Sequence, residues 1–426
     1  MIKIVSKVKK LKGEIIIPAD KSISHRAVML ASLAVGKSVI TNFSNGADCL
    51  STLNAFKALG VKISEINSKT IEIVSNGNLT QPSCVLDMGN SGTTTRLVSG
   101  ILAGQNFNTI LVGDMSLSKR PMKRIIEPLT LMGADIKSNN GLLPLEITGR
   151  KLYGINYSSN LSSAQVKSSI ILAGVNKKTE GVTIYSEPFT SRNHTELMLK
   201  YLGADIKIDG TKTIITPSEL IAKDIKIVGD ISSASFFIVA GLIVEGSDFI
   251  IRNVGVNPTR TGILDVVKRM GGNIEIFNEH EISGELVADI RVLYTESLNG
   301  CEICNNDIPK LIDELPVIAV LASQAHGITK VKDAGDLRNK ETDRISCLVR
   351  ELQKIGVNIE ELEDGFIIKG KSDLTGDAEL EIYHDHRLAM SFYIAGLICK
   401  NEIAIKDFEW INISFPEFSK LMDSIT

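Results

Sequence analysis

The chain has 426 residues, 43% of them hydrophobic and 23% charged, a composition that suits two sizeable apolar cores. With 47 Lys and Arg against 50 Asp and Glu the formal charge is -3, so no global field draws nucleic acid or an anionic membrane, and anions must be gathered by local clusters. Six scattered cysteines exclude a disulfide framework and fit a reducing cytoplasm, and no apolar run approaches the roughly 20 residues of a membrane helix.

The N-terminal MIKIVSKVKKLKGEIII alternates as a strand does and lacks the apolar stretch of a signal peptide. From there one pattern recurs. A helix of small and aliphatic residues appears as LASLAVG, LVSGILAG, SSIILAG, FFIVAGL, IAVLASQAHG and SFYIAGL. In step with it, an amphipathic helix closes on Gly ahead of a strand: KALGVKI at Gly60, TLMGADI at Gly133, KYLGADI at Gly203, KRMGGNI at Gly271 and QKIGVNI at Gly356. The terminal KLMDSIT is a candidate sixth copy. A spacing of roughly 70 residues, longer in the fifth unit, marks internal duplication into six units. A helix apolar all round must be buried. The fold class is therefore α/β, in two similar domains of three units, each with inner helices wrapped by sheets and outer helices. The midpoint near KIVGDISSAS gives residues 18–228 as one domain and residues 1–17 plus 229–426 as the other, the N-terminal strand crossing over to join the second half.

Each inner helix starts on polar residues: Lys21, Ser22, Ser24 and Arg26 in the first, GNSGTTTR (Gly89 to Arg96) in the second and SSAQVK (Ser162 to Lys167) in the third. GDISSAS (Gly229 to Ser235), DIPKLIDELP (Asp307 to Pro316) and YHDHR (Tyr383 to Arg387) open the others. Helix N-termini carry unpaired N–H groups and partial positive charge, so several aimed at one place form an anion site, although Ser and Thr there also serve as ordinary caps. SLSKRPMKR adds Lys119, Arg120, Lys123 and Arg124. RNKETDRISCLVRELQKIG is predicted as a helix with Ile345, Leu348, Val349, Leu352 and Ile355 on one stripe and with Glu341 and Arg344 in its first turn. An Arg there opposes the helix dipole and calls for an anion. Asp313 and Glu314 interrupt an apolar run, and a carboxylate held beside a bound hydroxyl is a general base, a structural ion pair being the alternative. No metal site is expected. Cys301 and Cys304 lack a second pair, and His384 and His386, alternating as on one strand face, lack a third ligand.

In order along essentially the whole chain, DKSISHRA, GNSGTTTR, RPMKR, SAQVKS, GDISSAS, NPTR, NKETDR and DHRLAM resemble the motifs of the 5-enolpyruvylshikimate-3-phosphate synthases, with RPMKR, SAQVK and NPTR similar to the class II bacterial branch. The resemblance implies the enolpyruvyl transferase fold, two domains of three βαβαββ units closing on shikimate 3-phosphate and phosphoenolpyruvate. By motif, Lys21, Ser22, Arg26, Ser163, Gln165, Asp313 and Lys340 would meet shikimate 3-phosphate, with Arg192 of TSRNHTE as a phosphate contact. Lys21, Gly92, Arg120, Gln165, Arg344 and Arg387 would hold phosphoenolpyruvate. Asp313 is implied for the hydroxyl proton and Glu341 for the methylene proton, with Lys21 as electrostatic partner or acid. No metal or organic cofactor, nucleic acid or membrane is implied. A cytoplasmic monomer is expected.

Two departures stand out. Ala164 sits where some relatives have a second Ser, and Ile413 precedes SFP where others have Lys. The sister reaction, enolpyruvyl transfer to UDP-N-acetylglucosamine, calls for Lys-Asn in place of Lys21-Ser22 and for a Cys shortly before Arg120, where this chain has Met115 to Lys119. A non-catalytic anion-binding scaffold would not need Asp313 and Glu341.

Overall fold

The computed structural model describes residues 1–426. The chain forms two compact units, one of residues 19–228 with 281–285, the other of residues 1–18, 229–280 and 286–426.

The middle part of the first unit sets the pattern. Strand Leu86–Asp87 leads to inner helix Gly92–Ala103, then to strand Asn108–Val112, parallel to the first. Outer helix Lys123–Leu131 follows, and a hairpin of Asp135–Asn139 and Leu142–Thr148 closes the sheet, its second strand antiparallel to Asn108–Val112. The same order recurs around inner helix Ala164–Gly174, with strands Asn156–Ser158, Thr183–Ser186, Ile206–Asp209 and Lys212–Ile215. Around inner helix Lys21–Leu33 the edge strand is borrowed from the far end of the unit, Ile225 pairing with Ile40.

The other unit repeats the plan with borrowed strands at both ends. The N-terminal stretch is two strands rather than one. Lys12–Ile16 lies parallel to Asp248–Gly255 and serves inner helix Ile231–Ile243, while Lys3–Val5 lies antiparallel to Ile403–Ile405 beside inner helix His386–Gly396. The sixth copy keeps its outer helix, Phe418–Asp423, and Lys3–Val5 takes the sheet position that a hairpin strand fills in the other copies.

Inner helices carry small residues because they approach closely. A Cβ added to Gly100 would lie 2.0 Å from the Ser169 carbonyl oxygen of the neighbouring inner helix, inside any van der Waals limit. The closing glycines Gly60, Gly133, Gly203, Gly271 and Gly356 all adopt positive φ, between 79° and 97°, the left-handed cap geometry that a Cβ opposes. In the second unit, Tyr393, Phe415 and Phe418 pack ring to ring at 5.2 to 5.6 Å, so the SFP segment that lacks the lysine of some relatives anchors the core instead.

Three local expectations are corrected. Helix Arg344–Lys354 begins after Glu341, because Asp343 caps it by accepting from Ser346 N. DIPKLIDELP is broken: Ile308–Leu311 ends, Ile312 to Glu314 bridge, and inner helix Leu315–Ser323 starts with Pro316 in its first turn, where the missing N–H costs nothing. His384 sits in a left-handed turn against Trp410, 4.6 Å between ring centroids, and His386 starts a helix, so the two share no strand face. No helix is long and apolar enough to cross a membrane.

Candidate active site

The amino ends of the inner helices are less open than expected. Asp20, Ser91, Ser163, Asp230 and Asp385 each cap their helix by accepting from a first-turn N–H. Those caps already satisfy part of the orphan backbone donors. The positive charge at these helix starts therefore lies mainly on Lys and Arg side chains paired with acids.

In the unit of residues 19–228, Lys21 and Ser22 open their helix, and Lys21 Nζ lies 2.5 Å from Asp48 Oδ2. Arg26, one turn on, is buried: Nε donates to Thr195 Oγ1 at 2.7 Å, Nη1 to the Ser22 carbonyl at 2.9 Å and Nη2 to Ser168 Oγ at 3.1 Å. Burial pushes its pKa down to about 10 against the opposing pull of Glu196 and Asp20, and the positive charge of Arg192 lowers it further. Arg26 thus ties Lys21 and Ser22 to the segment that bears Arg192. His25, between them, is buried; its Nδ1 pairs with Thr52 Oγ1 at 2.6 Å, and burial pushes its pKa down to about 3.

A second cluster surrounds Gly92. A Cβ there would stand 3.3 Å from Arg96 Nη1 and 3.5 Å from Arg120 Nη1, so the glycine lies between two guanidinium groups. Arg96 donates to Gln165 Oε1 at 2.5 Å, and Gln165 Nε2 donates to Thr93 Oγ1 at 3.0 Å. Arg120 Nη2 donates to Asn90 Oδ1 at 2.7 Å, Asn90 is held by Asp114, and Arg120 Nε is buried with no hydrogen-bond partner. Gly92, Arg120 and Gln165 are thereby gathered in one place. Arg96 and Asn90, neither singled out by the sequence reading, complete it from within GNSGTTTR.

In the other unit every expected residue joins one network. Asp313 Oδ1 accepts from Lys340 Nζ at 3.0 Å and lies 3.6 Å from Arg344 Nη1. Arg344 is buried; its Nε donates to Asp385 Oδ2 at 2.6 Å and its Nη2 to Glu341 Oε2 at 2.5 Å. Burial disfavours its charge, yet Asp385, Glu341 and Asp313 outweigh that and hold its pKa above the ordinary arginine range. Nη1 has no hydrogen-bond partner, which leaves a directed donor on a fixed cation. Arg387 donates through Nη1 to Ser232 Oγ at 2.7 Å and to the Asp313 carbonyl at 3.0 Å. Beneath it, the buried Glu314 accepts from Arg260 at 3.2 and 3.3 Å and from Ser232 Oγ.

Asp385 was overlooked. It caps helix His386–Gly396 through Arg387 N at 2.9 Å while gripping Arg344, so one carboxylate sets both arginines. Arg260 of NPTR is a further residue the sequence reading gives no role, and Glu314, read there as a base or a structural ion pair, is paired with it. No group of three or more His, Cys, Asp or Glu is arranged to hold a metal ion.

Comparison with known proteins agrees with these motifs. The family model described as EPSP synthase (3-phosphoshikimate 1-carboxyvinyltransferase) matches residues 5–422. A 3-phosphoshikimate 1-carboxyvinyltransferase of Geobacter sp. (strain M21) is 50% identical over 99% of this chain and 98% of its own length. One from Thermoanaerobacter sp. (strain X514) is 50% identical over 99% of both. Among solved structures, EPSP synthase from Acinetobacter baumannii superposes with a TM-score of 0.89 at 41% identity, covering 100% of this chain and 98% of that one. The enolpyruvyl transferase NikO from Streptomyces tendae, at 16% identity and a TM-score of 0.81 over 99% of this chain and 96% of that one, shares the fold. The match to the family model across nearly all of the chain, with relatives half identical over its whole length, shows that the chain belongs to the EPSP synthase family.

Proposed function

We infer that this chain transfers the enolpyruvyl group of phosphoenolpyruvate to the 5-hydroxyl of shikimate 3-phosphate with release of phosphate, in the shikimate pathway to chorismate and the aromatic amino acids. The observation that carries the site reading is Arg344, a buried guanidinium bracketed by Asp313, Glu341 and Asp385 with Nη1 left over as a donor. A cation so fixed suits a carboxylate or phosphate without reorganisation.

In the proposed reaction the 5-hydroxyl oxygen bonds to the enol carbon of phosphoenolpyruvate as its methylene carbon takes up a proton. A tetrahedral adduct results. Loss of a proton from that carbon, together with cleavage of the bond to phosphate, restores the double bond as an enol ether. Asp313, beside Lys340, takes the hydroxyl proton, and Glu341 serves the methylene carbon. Lys21 stabilises developing charge or acts as an acid. Lys21, Ser22, Arg26, Ser163, Gln165, Arg192, Asp313 and Lys340 are proposed for shikimate 3-phosphate, and Lys21, Gly92, Arg120, Gln165, Arg344 and Arg387 for phosphoenolpyruvate. On this reading residues 18–228 form one functional domain and residues 1–17 plus 229–426 the other.

The class II assignment rests on SAQVK, RPMKR, NPTR and Arg192. The six unpaired cysteines suit the reducing cytoplasm, and a monomer is proposed. The test is phosphate release with shikimate 3-phosphate and phosphoenolpyruvate, run beside UDP-N-acetylglucosamine as acceptor. Release only with the sugar nucleotide would overturn the assignment. Sedimentation of the free enzyme checks the monomer.

A further inference from the structure

Lys167, inside SAQVKS, takes no part in the chemistry above, yet it is one of the most deeply buried cations in the chain, 2% exposed. Its Nζ donates to Glu187 Oε1 at 3.0 Å and to the Ser191 carbonyl at 3.0 Å, and lies 2.9 Å from Glu196 Oε1. Two hydrogen bonds and the ion pair with Glu196 thus enclose the buried ammonium and offer no open face to a ligand. Whatever Lys167 does, it does through its neighbours.

Those neighbours define a ring. The Glu187 carboxylate also accepts from Ser191 N at 2.8 Å and from Ser191 Oγ at 2.7 Å, so the five-residue loop Glu187 to Ser191 is closed end to end, with Lys167 clasping both ends. Mid-loop, Phe189 N donates to Ser162 Oγ at 2.9 Å, which pins the loop to the residue before Ser163. The carbonyl that Lys167 grips belongs to the peptide linking Ser191 to Arg192. Holding that oxygen restrains rotation of the peptide plane, and with it the position of the Arg192 Cα. On the far side, Glu196 and Arg192 both act on the charge of buried Arg26.

We propose that Lys167 is a positioning residue for shikimate 3-phosphate: by clasping Glu187 and the Ser191 carbonyl it aims Arg192 at the substrate phosphate. This rests on the reading of Arg192 as a phosphate contact. A buried ion cluster that served stability alone would lower the melting temperature and leave the two Michaelis constants in their original ratio. A positioning role separates them, because only the substrate that meets Arg192 loses binding.

The experiment is a double-mutant cycle of Lys167→Met and Arg192→Gln in the full chain, with KM for each substrate and kcat measured below the melting transition of every variant. Lys167→Met is expected to raise KM for shikimate 3-phosphate about tenfold and to leave KM for phosphoenolpyruvate within about twofold. In the Arg192→Gln background it should add less than about twofold. The same tenfold increase in both backgrounds, or no selective increase at all while Arg192→Gln has one, overturns the proposal. An Arg192→Gln variant with unchanged KM for shikimate 3-phosphate removes the underlying contact instead. Should Lys167→Met fail to fold, Glu187→Gln replaces it in the same cycle, with the same expected and overturning results.

Discussion

Replacing Asp385 by Asn tests whether one buried carboxylate organises the arginine network of the second unit. Asp385 and Arg344 are 0% and 1% exposed, and the carboxylate meets Nε at 2.6 Å. Removing one partner of a buried ion pair costs about 3–5 kcal/mol, because the other charge is stranded. Glu341 and Asp313 still flank Arg344, which places the expected loss at the low end, about 3 kcal/mol. Asn caps a helix about as well as Asp, so the cap on Arg387 N survives; Asp385→Ala removes it too and should cost about 1 kcal/mol more. The single tryptophan, Trp410, packs on His384 in the same unit and reports its unfolding in urea by fluorescence. In the folded enzyme Asp385→Asn should also raise KM for phosphoenolpyruvate, since Arg344 loses its alignment. A stability loss under about 1 kcal/mol for Asp385→Asn, with KM unchanged, would refute the idea that this carboxylate holds the network.

Asp313→Asn should lower kcat by roughly a hundredfold or more, as removal of a general base does, and near-normal turnover would exclude that role. Glu341→Gln should suppress exchange of the phosphoenolpyruvate methylene hydrogens with solvent deuterium, followed by NMR; rapid exchange in the variant rules the residue out. Gly92→Ala places a methyl 3.3 Å from Arg96, which must give by tenths of an ångström, and 3.5 Å from Arg120, in ordinary contact; KM for phosphoenolpyruvate should rise about three- to tenfold with that for shikimate 3-phosphate unchanged. Burial holds His25 neutral in the fold, with a pKa of about 3 against 6.5 when unfolded. Protons therefore bind the unfolded chain preferentially between those values, and stability that is complete above pH 6.5 falls as pH drops, by about 1.4 kcal/mol per unit. Urea titrations of wild type and His25→Gln at pH 6.5 and 5 should differ in their pH-dependent loss by about 2 kcal/mol, and equal losses would count against a buried neutral imidazole.

The glycine-closed helices and the small-residue inner helices were legible because each leaves a local mark: a left-handed cap excludes most residues but Gly, and close helix packing excludes bulk. Motif order carried the candidate residues. What escaped was non-local. The edge of the sixth sheet could not be foreseen, because the strand that fills it, Lys3–Val5, lies about four hundred residues away in sequence from Ile403–Ile405. The start of helix Arg344–Lys354 turned on Asp343 capping rather than extending it. Asp385, Glu314 and Lys167 stood inside or beside quoted motifs, but their importance depends on which opposite charge the fold delivers, and an acid in a string of letters does not declare its partner. Serine and threonine at the inner helix starts carry two readings, anion contact and ordinary cap; Ser91 and Ser163 are caps, while at three other starts the cap is an aspartate, Asp20, Asp230 or Asp385.

The borrowed strands bear on the order of assembly during synthesis. Every strand in the sheets of residues 19–228 is available once Ile225–Lys226 has emerged, so those sheets can close while translation continues, residues 281–285 joining the unit later. The opening segment has no such luck: Lys12–Ile16 waits for Asp248–Gly255, and Lys3–Val5 for Ile403–Ile405 near the end. Until then the leading arm is an unpaired edge on a nascent polypeptide, a place where a chaperone that recognises exposed strands would find its grip.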